Sequence, residues 1–239
     1  MDDAEYALMD EAEQAMWWYR ALHARLCAAL SDVTGRVLDA GCGTGGFLAV
    51  LGRAAPALQL VGLEWSPLGA ARAAAKTRAP IARGSVNALP FADASFDAAV
   101  SADVLCHAAV DPVAALAELR RVLRPGGLLV LNMPAFAWLL SAHDRRVHNV
   151  RRVTTGELAG ALADAGFTGV RVSYWNGLLL PLMVARRKLQ ARHEESASDV
   201  APFSPWLDAA LHAVTGLERR LPFPLPAGGS VLAVAHAAA

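Results

Sequence analysis

The chain has 239 residues, 55% of them hydrophobic, enough to bury a substantial core in one or two domains, and it reads as one. Lys plus Arg and Asp plus Glu both number 22, so no net field favours a polyanion and nucleic acid is not an expected partner. Cys27, Cys42 and Cys106 are odd in number and lack metal-ligand spacing, which supports neither a disulfide framework nor a metal site and fits a reducing compartment.

Asp2-Asp3-Ala4-Glu5 is acidic where a secretory signal would be basic. The longest apolar run, Gly177 to Ala185, falls short of the roughly 20 residues that span a bilayer, so a cytoplasmic location without a transmembrane segment is expected. Asp2 to Leu30 reads as one helix, with acids at its start and Arg20 and Arg25 toward its end to suit the macrodipole. Trp17, Trp18 and Tyr19 are consecutive, and at about 100° per helical residue one buried stripe cannot hold all three.

Val37-Leu38-Asp39-Ala40-Gly41-Cys42-Gly43-Thr44-Gly45-Gly46 then runs a short apolar strand through an acid and a glycine turn into the helix Phe47–Leu51. Glycines permit the sharp turn and the close approach of a ligand, and the N–H groups that open the helix attract a negative group. Strands are predicted near 36–38, 60–63, 81–83, 98–101 and 128–133, with gaps long enough for crossover helices. Asp111-Pro112 starts one of those helices and Pro125-Gly126-Gly127 ends it. Residues 134–150, with Trp138, His143, Asp144 and His148, have no period and read as an insertion over the site. Thr154 and Glu157 form a capping box for a helix ending at Gly166. The last two strands fall at 170–175 and 230–236; between them, 176–229 carries two apolar helical stretches, 178–189 and 206–217, separated by the polar segment His193–Asp199.

Asp39-Ala40-Gly41-Cys42-Gly43-Thr44-Gly45 resembles the first motif of class I S-adenosylmethionine-dependent methyltransferases. Leu63-Glu64-Trp65-Ser66 resembles their second, Gly84 to Phe91 followed by Ser95-Phe96-Asp97 their third, and Leu123 to Val130 the segment leading into their fifth strand. The likeness is strong over 37–133, looser elsewhere, and closest to the small-molecule group that includes the ubiquinone- and menaquinone-biosynthesis enzymes. It implies an α/β, Rossmann-like, doubly wound sheet of seven mostly parallel strands with an antiparallel last strand and helical additions over the substrate side. Residues 1–239 would form one methyltransferase domain, with 1–30 an N-terminal helical lid, 134–150 an insertion and 176–229 a substrate-side helical excursion.

By the same resemblance, S-adenosylmethionine is the cofactor, S-adenosylhomocysteine the product and a small molecule the acceptor. Gly41, Cys42 and Gly43 would lie against the methionine part, with Asp39 organising the loop or only capping the turn. Glu64 would accept from both ribose hydroxyls. Trp65 would pack on adenine or serve as core cover. Ser85 stands where the family often has an acid, and Val86 offers a backbone N–H to the ring. Tyr19 and Arg20 are lid candidates, and Ser101 on the fourth strand is counted with the cofactor residues. Asp103-Val104-Leu105-Cys106-His107 resembles the family's Asp-x-x-x-His stretch, so His107, with His143 and His148, is a general-base candidate, each weighed against an ordinary surface or satisfied histidine. No Asn/Asp-Pro-Pro-aromatic motif follows the fourth strand, which argues against methylation of adenine or cytosine amino groups. Two other readings stay open. The literal G-x-G-x-x-G at Gly41, Gly43 and Gly46 with Glu64 suits a nicotinamide-dependent oxidoreductase, and Ser85 suits a non-catalytic module that only binds S-adenosylmethionine.

Overall fold

The computed structural model describes residues 3–13, 15–190 and 203–238. The apolar runs between glycine and proline turns form β1 (Arg36–Ala40), β2 (Gln59–Glu64), β3 (Ile81–Arg83), β4 (Phe96–Ala102) and β5 (Leu123–Pro134), all mutually parallel. β6 (Phe167–Trp175) lies at the far edge, and β7 (Ser230–Ala237) inserts antiparallel between β5 and β6, giving the order β3-β2-β1-β4-β5-β7-β6. The sheet is thus the seven-stranded, mostly parallel one that the motifs imply.

Alternate residues of each strand face opposite layers, so both faces are apolar. Val37, Ala98, Val100 and Val130 pack on Leu22 and Leu26 of α2 (Trp17–Ala29) and on Phe47 and Leu51 of α3 (Gly46–Ala54). Leu38, Leu63, Leu129 and Leu131 turn the other way, onto Leu116 and Leu119 of α5 (Pro112–Val122) and Leu158 and Leu162 of α7 (Thr155–Asp164). The chain winds outward through β1, β2 and β3, then returns to β4 on the other side of β1. That reversal opens a crevice beyond the strand ends between β1 and β4, where ligands of such sheets bind.

Local signals fix several helix ends. Asp111 caps α5 by accepting from Val113 N and Ala114 N at 3.0 and 3.4 Å, with Pro112 in the first turn. Asp111→Ala should therefore cost about 1 kcal/mol of stability with an unchanged fold, measurable by urea unfolding. Thr154 and Glu157 form the reciprocal capping box of α7. Ser66 accepts from Gly69 N at the start of α4 (Pro67–Lys76).

Several details differ from the sequence reading, among them the starts of β5 and β6, which precede the expected 128 and 170. The first helix is two, α1 (Asp3–Ala12) and α2, because Met16 is extended and Asp208 of α9 (Pro205–Glu218) accepts from Trp17 N at 2.6 Å, capping α2 from 191 residues away. α5 ends at Val122 rather than at the Pro-Gly-Gly, because Leu123 already pairs with Phe96 in the sheet. Residues 134–150 hold a 3₁₀ turn at 137–139 and the short α6 (Ala142–Arg146). The excursion carries α8 (Leu180–Gln190) and α9, and the His193–Asp199 segment lies outside the described residues. Among the described residues no helix is long and apolar enough to cross a membrane.

Candidate active site

The turn after β1 is built by glycines that no other residue could replace. Gly41 has φ +94°, and a Cβ there would stand 2.3 Å from Cγ2 of Val104, so the loop after β4 lies directly against the turn. The N–H groups of Gly41 and Cys42 both donate to the Leu63 carbonyl, at 2.8 and 2.9 Å, and Gly43 N donates to Glu64 Oε2 at 2.9 Å. The turn is thereby tied to the end of β2. The negative group expected at the start of α3 is supplied by the chain itself: Glu13 Oε2 accepts from Gly46 N at 3.1 Å, and Glu13 pairs with Lys76.

α1 thus lies over the turn, through residues that the reading of 1–30 as a helical lid did not name. Tyr6 donates its hydroxyl to Glu64 Oε1 at 2.9 Å, beside Ser66 N at 2.8 Å, and a Cβ on Gly43 would meet Met9 Cε at 2.8 Å. Asp10 pairs with Arg72 and Lys76 of α4 and holds α1 down.

Above the strand ends lies a cavity of about 1060 Å³. Asp39, Gly43, Glu64, Trp65 and Val86 line one half. Asp39 is 4% exposed, and burial, with Glu64 and then Glu13 adding repulsion, pushes its carboxyl up to about 8. Burial likewise pushes the Cys42 thiol up, so it stays protonated.

The other half is formed by the ends of β4, β5 and β6 and by the 134–150 segment. Asp103 follows β4 with φ +55°, a conformation uncommon outside glycine and asparagine, held by its N–H on the Asn132 carbonyl at 2.9 Å. Asn132 Nδ2 donates to both carboxyl oxygens of Asp103 at 3.0 Å, and Trp175 Nε1 donates to Asn132 Oδ1 at 2.8 Å. Desolvation raises the Asp103 carboxyl to about 7, although Asn132 and Arg152 pull the other way. Asp144 is fully engaged: Arg152 grips it through Nε and Nη2, and Ser141 donates to it as well. Asp103 is named from the sequence only as the acid of the Asp-x-x-x-His stretch, and Asn132 and Asn176 are not singled out; the signal for Asn132 is an amide inside the apolar run Leu128–Met133.

Residues 38–131 match the family of methyltransferase domains. The demethylmenaquinone methyltransferase of Deinococcus radiodurans is 40% identical over 119 residues, 48% of each chain. A probable S-adenosylmethionine-dependent methyltransferase of Mycolicibacterium smegmatis is 32% identical over 164 residues, 65% of this chain and 61% of that one. A solved SAM-dependent methyltransferase from Thermotoga maritima, described as a possible histamine N-methyltransferase, superposes with TM-score 0.61 at 20% identity, covering 98% of this chain and 95% of that one. Over 38–131 the chain is thus similar to methyltransferase domains, and it shares the fold of the solved enzyme. It spans about half the length of the curated relatives it matches.

The cofactor of such a domain is S-adenosylmethionine, which carries a sulfonium and an ammonium, and the residues present suit it. Asp39 and Glu64 face the cavity, and the interactions that set the Asp39 carboxyl are all unfavourable to its charge, a strain that a bound cation relieves. Of the residues expected at the cofactor, Tyr19, Asp39, Gly41, Cys42, Gly43, Glu64, Trp65, Ser85 and Val86 all line the cavity, with Trp65 73% exposed at its rim. Ser85 Oγ already accepts from Asn87 N at 3.2 Å. Arg20 and Ser101 stand outside the lining. Arg20 turns to Asp208 of α9, and Ser101, fully buried, donates to the Ala40 carbonyl at 2.8 Å and ties β4 to β1. Of the histidines, His107 and His148 line the cavity; His143 lies on α6, its side chain outside the described residues. Burial lowers the His107 pKa, and its ring faces the carbonyls of Val147 and Asp103.

Proposed function

We propose that the protein transfers a methyl group from S-adenosylmethionine to a small-molecule acceptor. The observation that carries this reading is a single cavity shared by the glycine turn with its two carboxylates and by the polar cluster at the ends of β4 and β5. The cofactor supplies a methyl on a positive sulfonium, and the protein's task is alignment of an attacking lone pair behind it. Glu64 would take the ribose hydroxyls in exchange for its present bond from Tyr6, which makes α1 the segment that must yield or share. Trp65 would cover the adenine from the rim, Val86 would offer its N–H to the ring, and Asp39 would face the cationic end.

For an acceptor that must lose a proton, His107 and His148 are the candidate bases. Burial keeps His107 neutral and able to accept, while the neighbouring carbonyls spend its own N–H on the main chain. An acceptor that arrives with its lone pair free needs neither.

Calorimetry with S-adenosylmethionine and S-adenosylhomocysteine tests the reading: both should bind, and absence of binding to either by folded protein rejects it. Saturable binding of NADH or NADPH instead would restore the oxidoreductase alternative. A second outcome follows from Asp39. With its carboxyl raised to about 8, it is mostly protonated near pH 7. A bound cation favours the carboxylate, so binding should release up to about one proton and tighten as pH rises toward 8. Titrations in buffers of different ionisation enthalpy should show the release, and Asp39→Asn should abolish it.

A further inference from the structure

We propose that the half of the cavity at the ends of β4, β5 and β6 binds an apolar molecule bearing a cationic amine, held by Asp103 and Asn176; this rests on the methyl-transfer reading, in which that half receives the acceptor. Both residues offer acceptor atoms that the protein does not saturate. One amide group, Nδ2 of Asn132, serves both oxygens of Asp103, which leaves most of the carboxylate's acceptor capacity unused among the described residues, and Asp103 lines the cavity. Asn176 is 1% exposed and lines the same cavity, and among the described residues its Oδ1 has no hydrogen-bond partner, while its Nδ2 rests on the Met183 sulfur at 3.4 Å. A buried carbonyl oxygen left unpaired is costly, and a ligand donor removes that cost.

The two groups belong to one rigid assembly, because Asn132 bridges Asp103 to Trp175, the residue before Asn176. Val104 against Gly41 sets this assembly beside the glycine turn, two strands away from Glu64 in the sheet.

Charge decides the ligand class. Arg152, the strongest cation on the lining, is spent on Asp144 and on the Ala135 carbonyl, so it does not greet an anion. The indole N–H of Trp17, without a partner among the described residues, is a single neutral donor and does not offset a carboxylate. An ammonium carries three donors and a charge, whereas a hydroxyl carries one donor and none. Trp17, Trp18, Leu22, Met183 and Phe203 supply apolar walls for the rest of such a molecule.

The test uses three probes that differ only in their terminal group, tryptamine, tryptophol and indole-3-propionate, titrated calorimetrically into full-length protein saturated with S-adenosylhomocysteine. Tryptamine is expected to bind at least tenfold more tightly than tryptophol, and indole-3-propionate least of all. Asp103→Asn should lower tryptamine affinity at least tenfold while keeping S-adenosylhomocysteine affinity within twofold, since asparagine tolerates the left-handed backbone at this position. Asn176→Asp, which adds a second charge to the same assembly, should tighten tryptamine or leave it unchanged. No tryptamine binding, equal or tighter binding of the propionate, or an unaltered tryptamine affinity in Asp103→Asn would each overturn the proposal. Failure of S-adenosylhomocysteine itself to bind the wild type would instead reject the methyl-transfer reading.

Discussion

Glu218→Ala is expected to lower the free energy of unfolding by about 3–5 kcal/mol, the range for removing one partner of a buried ion pair. Glu218 and Arg25 are 5% and 7% exposed and meet at 3.0 Å. The carboxylate also accepts from the main-chain N–H groups of Asn176, Gly177 and Leu178, at 2.7, 2.8 and 3.2 Å. Alanine would strand the guanidinium, which lies 4.5 Å over the Trp175 ring, together with three buried or half-buried donors. Glu218→Gln keeps an acceptor oxygen and should lose less. Pairing Arg25→Met with Glu218→Met should recover only part of the loss, because the three N–H groups remain unserved. Urea titrations at constant m-value measure all three, and a change below about 1 kcal/mol for Glu218→Ala would mean that the carboxylate is solvated rather than buried.

The second large effect is on the cofactor. Glu64→Ala should weaken S-adenosylhomocysteine binding by about 1–3 kcal/mol, roughly five- to 150-fold in Kd. Two losses combine. The ribose hydroxyls lose their acceptor, and the N–H groups of Gly43 and Ser66, with the Tyr6 hydroxyl, lose the group that now fixes the turn. Glu64→Gln should fall between wild type and alanine. Unchanged affinity in a variant with wild-type circular dichroism and unfolding midpoint would remove Glu64 from the ribose site.

What the sequence made legible was whatever is decided within a few residues. The capping box at Thr154, the aspartate at Asp111 and the glycine turn at Gly41 act over single turns, and each has the geometry its residues require. The strands, too, are close to their apolar runs. What could not be read was set by distant partners. The break before Trp17 depends on Asp208, and that same aspartate draws Arg20 away from the cavity. The three consecutive aromatics do diverge: Trp17 packs on Leu179 and Leu211, Trp18 stacks on Trp175, and Tyr19 tilts against His23. Tyr6, Met9 and Glu13 reach the glycine turn only because α1 folds back, which no local period encodes. Asp103 and Asn132 gain meaning only once β4 and β5 are side by side.

The root of the 176–229 excursion is narrow. Trp175 pairs with Ser230 across the β6–β7 ladder, and Gly229 N donates to the Asn176 carbonyl at 3.2 Å, so the chain leaves and re-enters the sheet at neighbouring points. Closing such a loop costs an entropy that grows only logarithmically with its length. The segment is therefore exchangeable only for one that keeps an acceptor for Trp17 N and a carboxylate for Arg25, the places of Asp208 and Glu218. Grafting a longer or shorter one between the same two anchors would reshape the wall that holds Met183 and Phe203 while leaving the ends of β1 and β2, where Asp39 and Glu64 sit, without a changed covalent neighbour.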